Sequence, residues 1–223
     1  MTDEHSDHSP AQRRGIETRH AIERAAVDAF AELGYHATSM QRISAAANVQ
    51  PAAIYYWFPN KEAILVHLQD DFMLQLNRVV AEAVSRQQQP ALKLAAAVRA
   101  HVEYHGLHTK EAFVTDSEIR ALTEEPRAAL IAQRDRYQNL FHDLIAAGVA
   151  DGSFATASSR VATYAILLQC TGVAMWFSAD GPLSLDEIAD LHVELVLGSL
   201  HASPALIVEA VDAVRSHAVE GAR

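Results

Sequence analysis

The stretch Gly34-Tyr-His-Ala-Thr-Ser-Met-Gln-Arg-Ile-Ser-Ala-Ala-Ala-Asn-Val-Gln-Pro-Ala-Ala-Ile-Tyr-Tyr-Trp-Phe-Pro-Asn-Lys61 carries the helix boundaries that decide the fold. Ahead of it, Ile22, Ala25, Ala26, Ala29, Phe30 and Leu33 recur at helical spacing from Thr18, and Gly34 supplies a left-handed stop. Thr38 with Gln41 three residues on reads as a capping box, which predicts a second helix from near Ser39 to near Ala47. Asn48 tolerates the left-handed backbone of a tight turn, and Pro51 suits the first turn of a third helix with Gln50 at its cap. About four residues separate the two helices, the spacing of a helix-turn-helix. Pro59 disfavours helix at Phe58, and Asn60 caps a fourth helix from Lys61. No Gly or Pro then occurs until Pro90, so this helix can run about 25 residues, long for a globular protein and able to link two domains.

Working outward, half of the 223 residues are hydrophobic but only 7% aromatic, with Ala dominating many stretches, which favours closely packed helices. Further helices are expected at about 91–107, 110–123, 126–147, 158–177, 185–200 and 204–218, with breaks marked by Gly106, Glu125-Pro126, Gly148 with Asp151-Gly152, Asp180-Gly181-Pro182 and Ser203-Pro204. No segment alternates with period two long enough to predict a strand. The predicted class is all-α: a polar, disordered arm over 1–14, a three-helix helix-turn-helix domain over 15–60, and a helical effector-binding and dimerisation domain over 61–220.

The net charge of -10 argues at first against nucleic acid, but the charge is segregated. From Ala11 to Lys61 six basic residues face four acids, while residues 62–223 carry 12 basic and 21 acidic groups. A mildly basic head on an acidic body suits a chain in which only the head approaches DNA. The single Cys170 forms no intrachain disulfide, no leader pattern opens the chain, and no apolar run reaches membrane-spanning length, which predicts a cytoplasmic chain without a membrane partner.

The residues from Gly34 to Lys61 resemble the DNA-binding domain of the TetR family of repressors, whose pattern runs Gly-aromatic, Thr-Ser/Thr, Ile-Ala, Ala-Gly-Val, Leu-Tyr-Tyr/His-His/Trp-Phe, Lys-Glu. The likeness covers about residues 15–65. Asn48 stands where Gly is usual, and Gln50-Pro51 replaces a common Ser-Lys pair, which removes a phosphate or base contact. The resemblance implies a homodimer on double-stranded operator DNA that is released by a small-molecule effector.

The residue types suit the task independently of the name. Ala52 and Ala53 permit close approach to the major groove, where a methyl can meet thymine C5, and Gln50 can read adenine. Pro51 opens the same helix. Tyr55, Tyr56 and Trp57 offer hydroxyl and indole donors to phosphates, Lys61 adds charge at a helix N-terminus, and Thr38 and Ser39 can touch the DNA backbone. Four successive aromatics cannot share one face, so Tyr55 and Phe58 lean towards the core and Tyr56 and Trp57 towards DNA. Arg13 and Arg14 either reach the minor groove as an arm or are simply solvated charges.

In the body, the family resemblance points to the helices at about 158–177 and 185–200 as the dimer interface. The second shows Leu185, Ile188, Leu191, Leu195 and Val196 on one face, which is equally an ordinary core stripe. The segment from Ala174-Met175-Trp176-Phe177 through Asp180-Gly181-Pro182-Leu183 to Leu195-Val196-Leu197-Gly198 is similar to effector domains of TetR-type repressors of lipid and steroid breakdown that answer acyl-CoA thioesters. It implies an elongated, largely apolar ligand, with His101, Tyr104, His105, Phe113, Tyr137, Tyr164, Gln169 and Trp176 as candidate contacts. Two alternatives stay open: a metal-responsive regulator using His101, His105 and His108 at helical spacing, and a transcriptional activator. No phosphate loop, nucleophile elbow or Cys pair occurs, so neither a catalytic residue nor a cofactor is predicted.

Overall fold

The structure, a computed structural model, describes residues 10–221, with side chains over 14–215. The described residues form α1 (Pro10–Leu33), α2 (Met40–Ala46), α3 (Pro51–Trp57), α4 (Lys61–Ser85), α5 (Pro90–Leu107), α6 (Thr109–Ser117), a 3-10 turn (Glu118–Ala121), α7 (Glu124–Ala150), α8 (Ser159–Thr171), a single turn α9 (Val173–Trp176), α10 (Leu185–Ser199) and α11 (Pro204–Gly221). There is no strand among them, so the class is all-α. None of these helices is long and apolar enough to cross a membrane.

Two compact units result. One takes the chain up to Asp70 together with Val114–Arg127; the other takes Asp71–Phe113 with the chain from Ala128 onward. The division therefore falls inside α4 rather than at its start, and 114–127 joins the head. The arm expected over 1–14 lies outside the described residues up to residue 9, and from Pro10 the chain is already helical.

In the head, Ile22, Ala26, Phe30, Ile43, Ile54, Ile64 and Leu65 are fully buried and hold α1 to α4 together. Gly34 closes α1 at φ 79° and its N–H donates to the Phe30 carbonyl at 2.9 Å. Ser39 is the N-cap of α2, its hydroxyl accepting from the Arg42 N–H at 3.2 Å. The capping box expected of Thr38 and Gln41 does not form. Thr38 is buried instead, and its hydroxyl lies 3.1 Å from the Ala29 carbonyl and 2.9 Å from that of Gly34, tying the loop to α1. Asn48 takes φ 54°, the left-handed turn between α2 and α3. Between α1 and α4, the Glu23 carboxylate accepts from His67 at 2.7 Å and Arg19 at 2.8 Å. Burial raises its pKa, but these bonds outweigh it and bring the group down to about 2.

In the second unit α5 is the central helix. Ala91, Leu94, Ala95, Ala97, Val98 and Val102 are fully buried, and α8, α9, α10 and α11 pack on it. Two glycines expected to break helices lie inside them, because a neighbour leaves no room for a side chain. A Cβ on Gly106 would come within 2.3 Å of Leu185 Cδ1, and one on Gly148 within 2.1 Å of Phe154 Cδ2. Gly172, in contrast, does interrupt the helix expected over 158–177, separating α8 from the single turn α9.

Candidate nucleic-acid interface and ligand cavity

Ile54 and Phe58, four residues apart, are buried at 0% and 5% exposure and anchor α3 in the head. Its opposite side is therefore outward: Pro51 and Ala52 are exposed, Tyr55 is 55% exposed and Tyr56 81%. Ala53 is half-buried, and Gln50 is the exposed N-cap, with a side chain that makes no capping bond. Tyr55 is thus not a core residue. Trp57 is half-buried, with its ring edge-on to Tyr56 at 5.1 Å between centroids and 3.4 Å from where a Cβ on Gly15 would stand, an ordinary van der Waals contact. Ser39 is exposed at the start of α2, and Arg14 is exposed on α1. The Arg13 side chain lies outside the described residues.

Two of the predicted backbone contacts are corrected. Thr38 is only 2% exposed and its hydroxyl is spent on two carbonyls, so it cannot reach a phosphate. Lys61 is half-buried and turns inward, its ammonium donating to the Tyr35 carbonyl at 2.5 Å and the Thr38 carbonyl at 2.7 Å, 4.1 Å above the Tyr35 ring centroid. Burial lowers its pKa, with the Glu118 carboxylate opposing. Gln41 and Arg42, both exposed on α2, were not singled out. The signal was available: Arg42 lies one turn after Ser39, on the same side of the helix.

In the second unit the predicted ligand residues do not gather into one site. His101, His105 and Tyr137 come together in the core. His101 Nδ1 is 2.8 Å from the Tyr137 hydroxyl and its Nε2 is 3.1 Å from the Thr171 hydroxyl. The rings of His101 and His105 stack at 4.0 Å, and His105 Nδ1–H donates to the His101 carbonyl at 2.9 Å. Burial, with His105 and His192 nearby, pushes His101 well below the usual imidazole range; burial likewise brings His105 to about 4. Both rings are therefore neutral at pH 7, packed and bonded rather than open to a ligand.

The second group is outward-facing. Tyr164 is 49% and Trp176 57% exposed, and Gln169 is exposed as well. Tyr164 borders a polar surface depression with Asp135, His142 and Arg160. Phe113, on α6, is half-buried and joins neither group. The metal alternative is not supported by geometry: His101 and His105 lie face to face, the His108 ring packs tilted by 40° against Tyr104 at 4.4 Å between centroids, and no metal-binding group of three His, Cys, Asp or Glu occurs among the described residues.

Tyr104 alone of the predicted set lines an open cleft, of about 270 Å³, between α4, α5 and α11. Val79, Ala83, Ala96, Ala100, Leu107 and Val214 give it apolar walls. Arg99, only 3% exposed, forms its charged floor and pairs with Asp186 and Asp190 of α10, with Glu103 2.8 Å away. Arg215 of α11 also pairs with Asp190, Nε donating at 2.8 Å. Three carboxylates thus surround two guanidiniums. The sequence pattern did not flag this cluster, although an Arg inside the apolar run of α5 needs a buried partner.

Comparison with known proteins decides the family. Residues 87–200 match the profile described as the tetracyclin repressor-like C-terminal domain, and residues 22–68 the one described as bacterial regulatory proteins, tetR family. The chain belongs to the TetR family. This TetR-family chain is 25% identical over 173 residues to the HTH-type transcriptional repressor KstR2 of Mycolicibacterium smegmatis, covering 77% of the chain and 84% of that protein. It is 27% identical to the fatty acid metabolism regulator protein of Bacillus subtilis, covering 79% and 92% respectively. Among solved structures, AibR in complex with isovaleryl coenzyme A and operator DNA superposes with a TM-score of 0.73 at 26% identity, over 80% of this chain and 97% of AibR. The helix-turn-helix and the helical C-terminal domain of the family are thus both present, and such domains belong to DNA-binding transcriptional regulators.

Proposed function

We propose that this TetR-family protein is a ligand-responsive transcriptional repressor that binds operator DNA as a homodimer and is released by an effector with a largely apolar body. The observation that carries the DNA-binding half is the outward side of α3, where Pro51, Ala52, Tyr55 and Tyr56 project with Gln50 beside them. Ser39, Gln41 and Arg42 are exposed on the preceding helix and suit phosphate contacts, as does Arg14 on α1.

A homodimer is supported by apolar side chains left in solvent on the two helices that the family resemblance implicates. Val161, Tyr164 and Leu168 lie along one side of α8 at 65%, 49% and 77% exposure, and Leu191 and Leu195 on α10 at 41% and 60%. The stripe expected on α10 is divided: Ile188 and Val196 face the core of their own chain, and Leu191 and Leu195 face away from it. Burying such groups against a second copy recovers the hydrophobic free energy that a lone chain forgoes.

For the effector, the relatives named for fatty acid metabolism and the isovaleryl coenzyme A complex of AibR support an acyl-CoA thioester. The apolar walls beside Tyr104 suit the acyl or ring portion. The three carboxylates around Arg99 and Arg215 are unsuited to phosphates, so the nucleotide end remains in solvent. Calorimetric titration of the full-length protein with isovaleryl-, longer acyl- and steroid-derived CoA thioesters, with and without operator, tests this reading. Linkage requires operator to weaken the effector's binding by the factor, about 5- to 150-fold, by which the effector weakens operator binding. Identical affinity in both conditions removes that ligand as the releasing signal.

A further inference from the structure

The outward side of α3 has a composition that restricts which bases it can read. Because Ile54 and Phe58 are held in the core, Pro51 with Tyr55 and Ala52 with Tyr56 form two adjacent rows on the opposite side, each pair four residues apart. The helix Pro-Ala-Ala-Ile-Tyr-Tyr-Trp contains no Lys, Arg, Asp or Glu. Guanine is recognised in the major groove by a cation reaching O6 and N7, and cytosine N4 by a carboxylate acceptor, and α3 has neither group. What its first turn does offer is saturated carbon: the Pro51 ring and the Ala52 methyl, both exposed, with the half-buried Ala53 methyl behind them.

The one apolar group that the major groove presents is the 5-methyl of thymine. Directly before these residues stands Gln50, whose carboxamide is exposed and makes no capping bond, and a carboxamide is the side chain that pairs with adenine N6 and N7. Methyl-binding and adenine-binding groups are therefore consecutive along the chain, and both select A·T pairs.

Resting on the DNA-binding reading above, we propose that α3 reads its half-site through thymine methyl groups. The base pairs beneath Pro51 and Ala52 are A·T with the thymine methyl against these side chains, Gln50 takes the neighbouring adenine, and Tyr55 and Tyr56 reach the flanking phosphates. Specificity is then set by carbon contacts and one amide rather than by a charged side chain on the recognition helix.

The experiment selects binding sites for the full-length protein from a random duplex pool, then replaces each thymine of the recovered half-site by deoxyuridine, which lacks only the methyl. The expected result is A·T pairs fixed at neighbouring positions, where each deoxyuridine weakens binding about fourfold, the worth of one buried methyl. Ala52→Gly should abolish that difference at one of them. The altered group is in the DNA, so the wild-type measurement is independent of any effect of the Gly on folding. A recovered site indifferent to deoxyuridine at every thymine, or with G·C fixed beneath α3, overturns methyl readout and leaves DNA binding standing. Recovery of no site overturns both.

Discussion

Replacing Lys61 by Met should destabilise the head rather than remove a phosphate contact. The ammonium donates to two backbone carbonyls, at 2.5 Å from Tyr35 and 2.7 Å from Thr38, and lies 4.1 Å from the Tyr35 ring centroid. Met keeps most of the stem and deletes the charge. A hydrogen bond from a charged donor is worth about 1.5–3 kcal/mol, but Lys61 is only half-buried, so water can reach part of what is vacated. Adding a partly exposed cation–π contact of about 0.5–1 kcal/mol, and subtracting the desolvation that the Lys no longer suffers, the expected loss is about 2 kcal/mol. Urea unfolding followed by Trp57 fluorescence in a Trp176→Phe background reads the correct unit, because Trp57 and Lys61 belong to it together. Operator affinity measured against salt completes the test. Loss of a phosphate contact lowers the slope by about 0.9, whereas a structural lysine leaves it unchanged at temperatures where the head is folded. Unchanged stability with a reduced slope would refute the inward assignment and return Lys61 to the DNA.

Three further outcomes follow from the second unit. Leu168→Glu combined with Leu195→Glu should yield a folded monomer by sedimentation equilibrium, with operator affinity reduced at least tenfold because two heads are no longer joined; a dimer of undiminished stability would place the interface elsewhere. Ala100→Trp should fill the cleft beside Tyr104 and abolish the effector response while operator binding persists; a retained response in the folded variant rules out that cleft. Burial holds the folded pKa of His105 at about 4, below its ordinary 6.5 and against its bond to the His101 carbonyl. The unfolded chain therefore takes up a proton first, and stability present above pH 6.5 is lost progressively towards pH 4. His105→Phe, which keeps a ring beside His101, should make that loss shallower in denaturation curves recorded across this range.

What could be read from sequence depended on whether the determinant was local. Gly34, Asn48, Pro51 and Pro59 act through their own backbone geometry, and the helix ends they set fall within a residue or two of expectation, whereas the start of α1, expected near Thr18, lies at Pro10. Gly106 and Gly148 carry the same letter for a different reason. Each accommodates a side chain distant in the chain or across a turn, Leu185 and Phe154, so a rule about helix stops misassigned them. The site shows the same contrast. That four consecutive aromatics must divide between core and solvent follows from helix geometry, but that Phe58 is buried while Tyr55 stays 55% exposed depends on what the fold packs against them.

Lys61 and Thr38 illustrate why polar residues were the least legible. Both lie within a DNA-binding motif and carry groups that phosphates attract, and a sequence gives no weight to competing backbone acceptors. In the folded head the carbonyls of Ala29, Gly34, Tyr35 and Thr38 are those acceptors, and an unpaired buried carbonyl costs more than an exposed phosphate contact returns. The head therefore uses its inward hydroxyl and ammonium to hold the loop between α1 and α2 in place. On the proposed DNA-binding reading, α3 then meets DNA with an uncharged surface, and the phosphate contacts fall to the exposed side chains of Arg14, Ser39, Gln41 and Arg42.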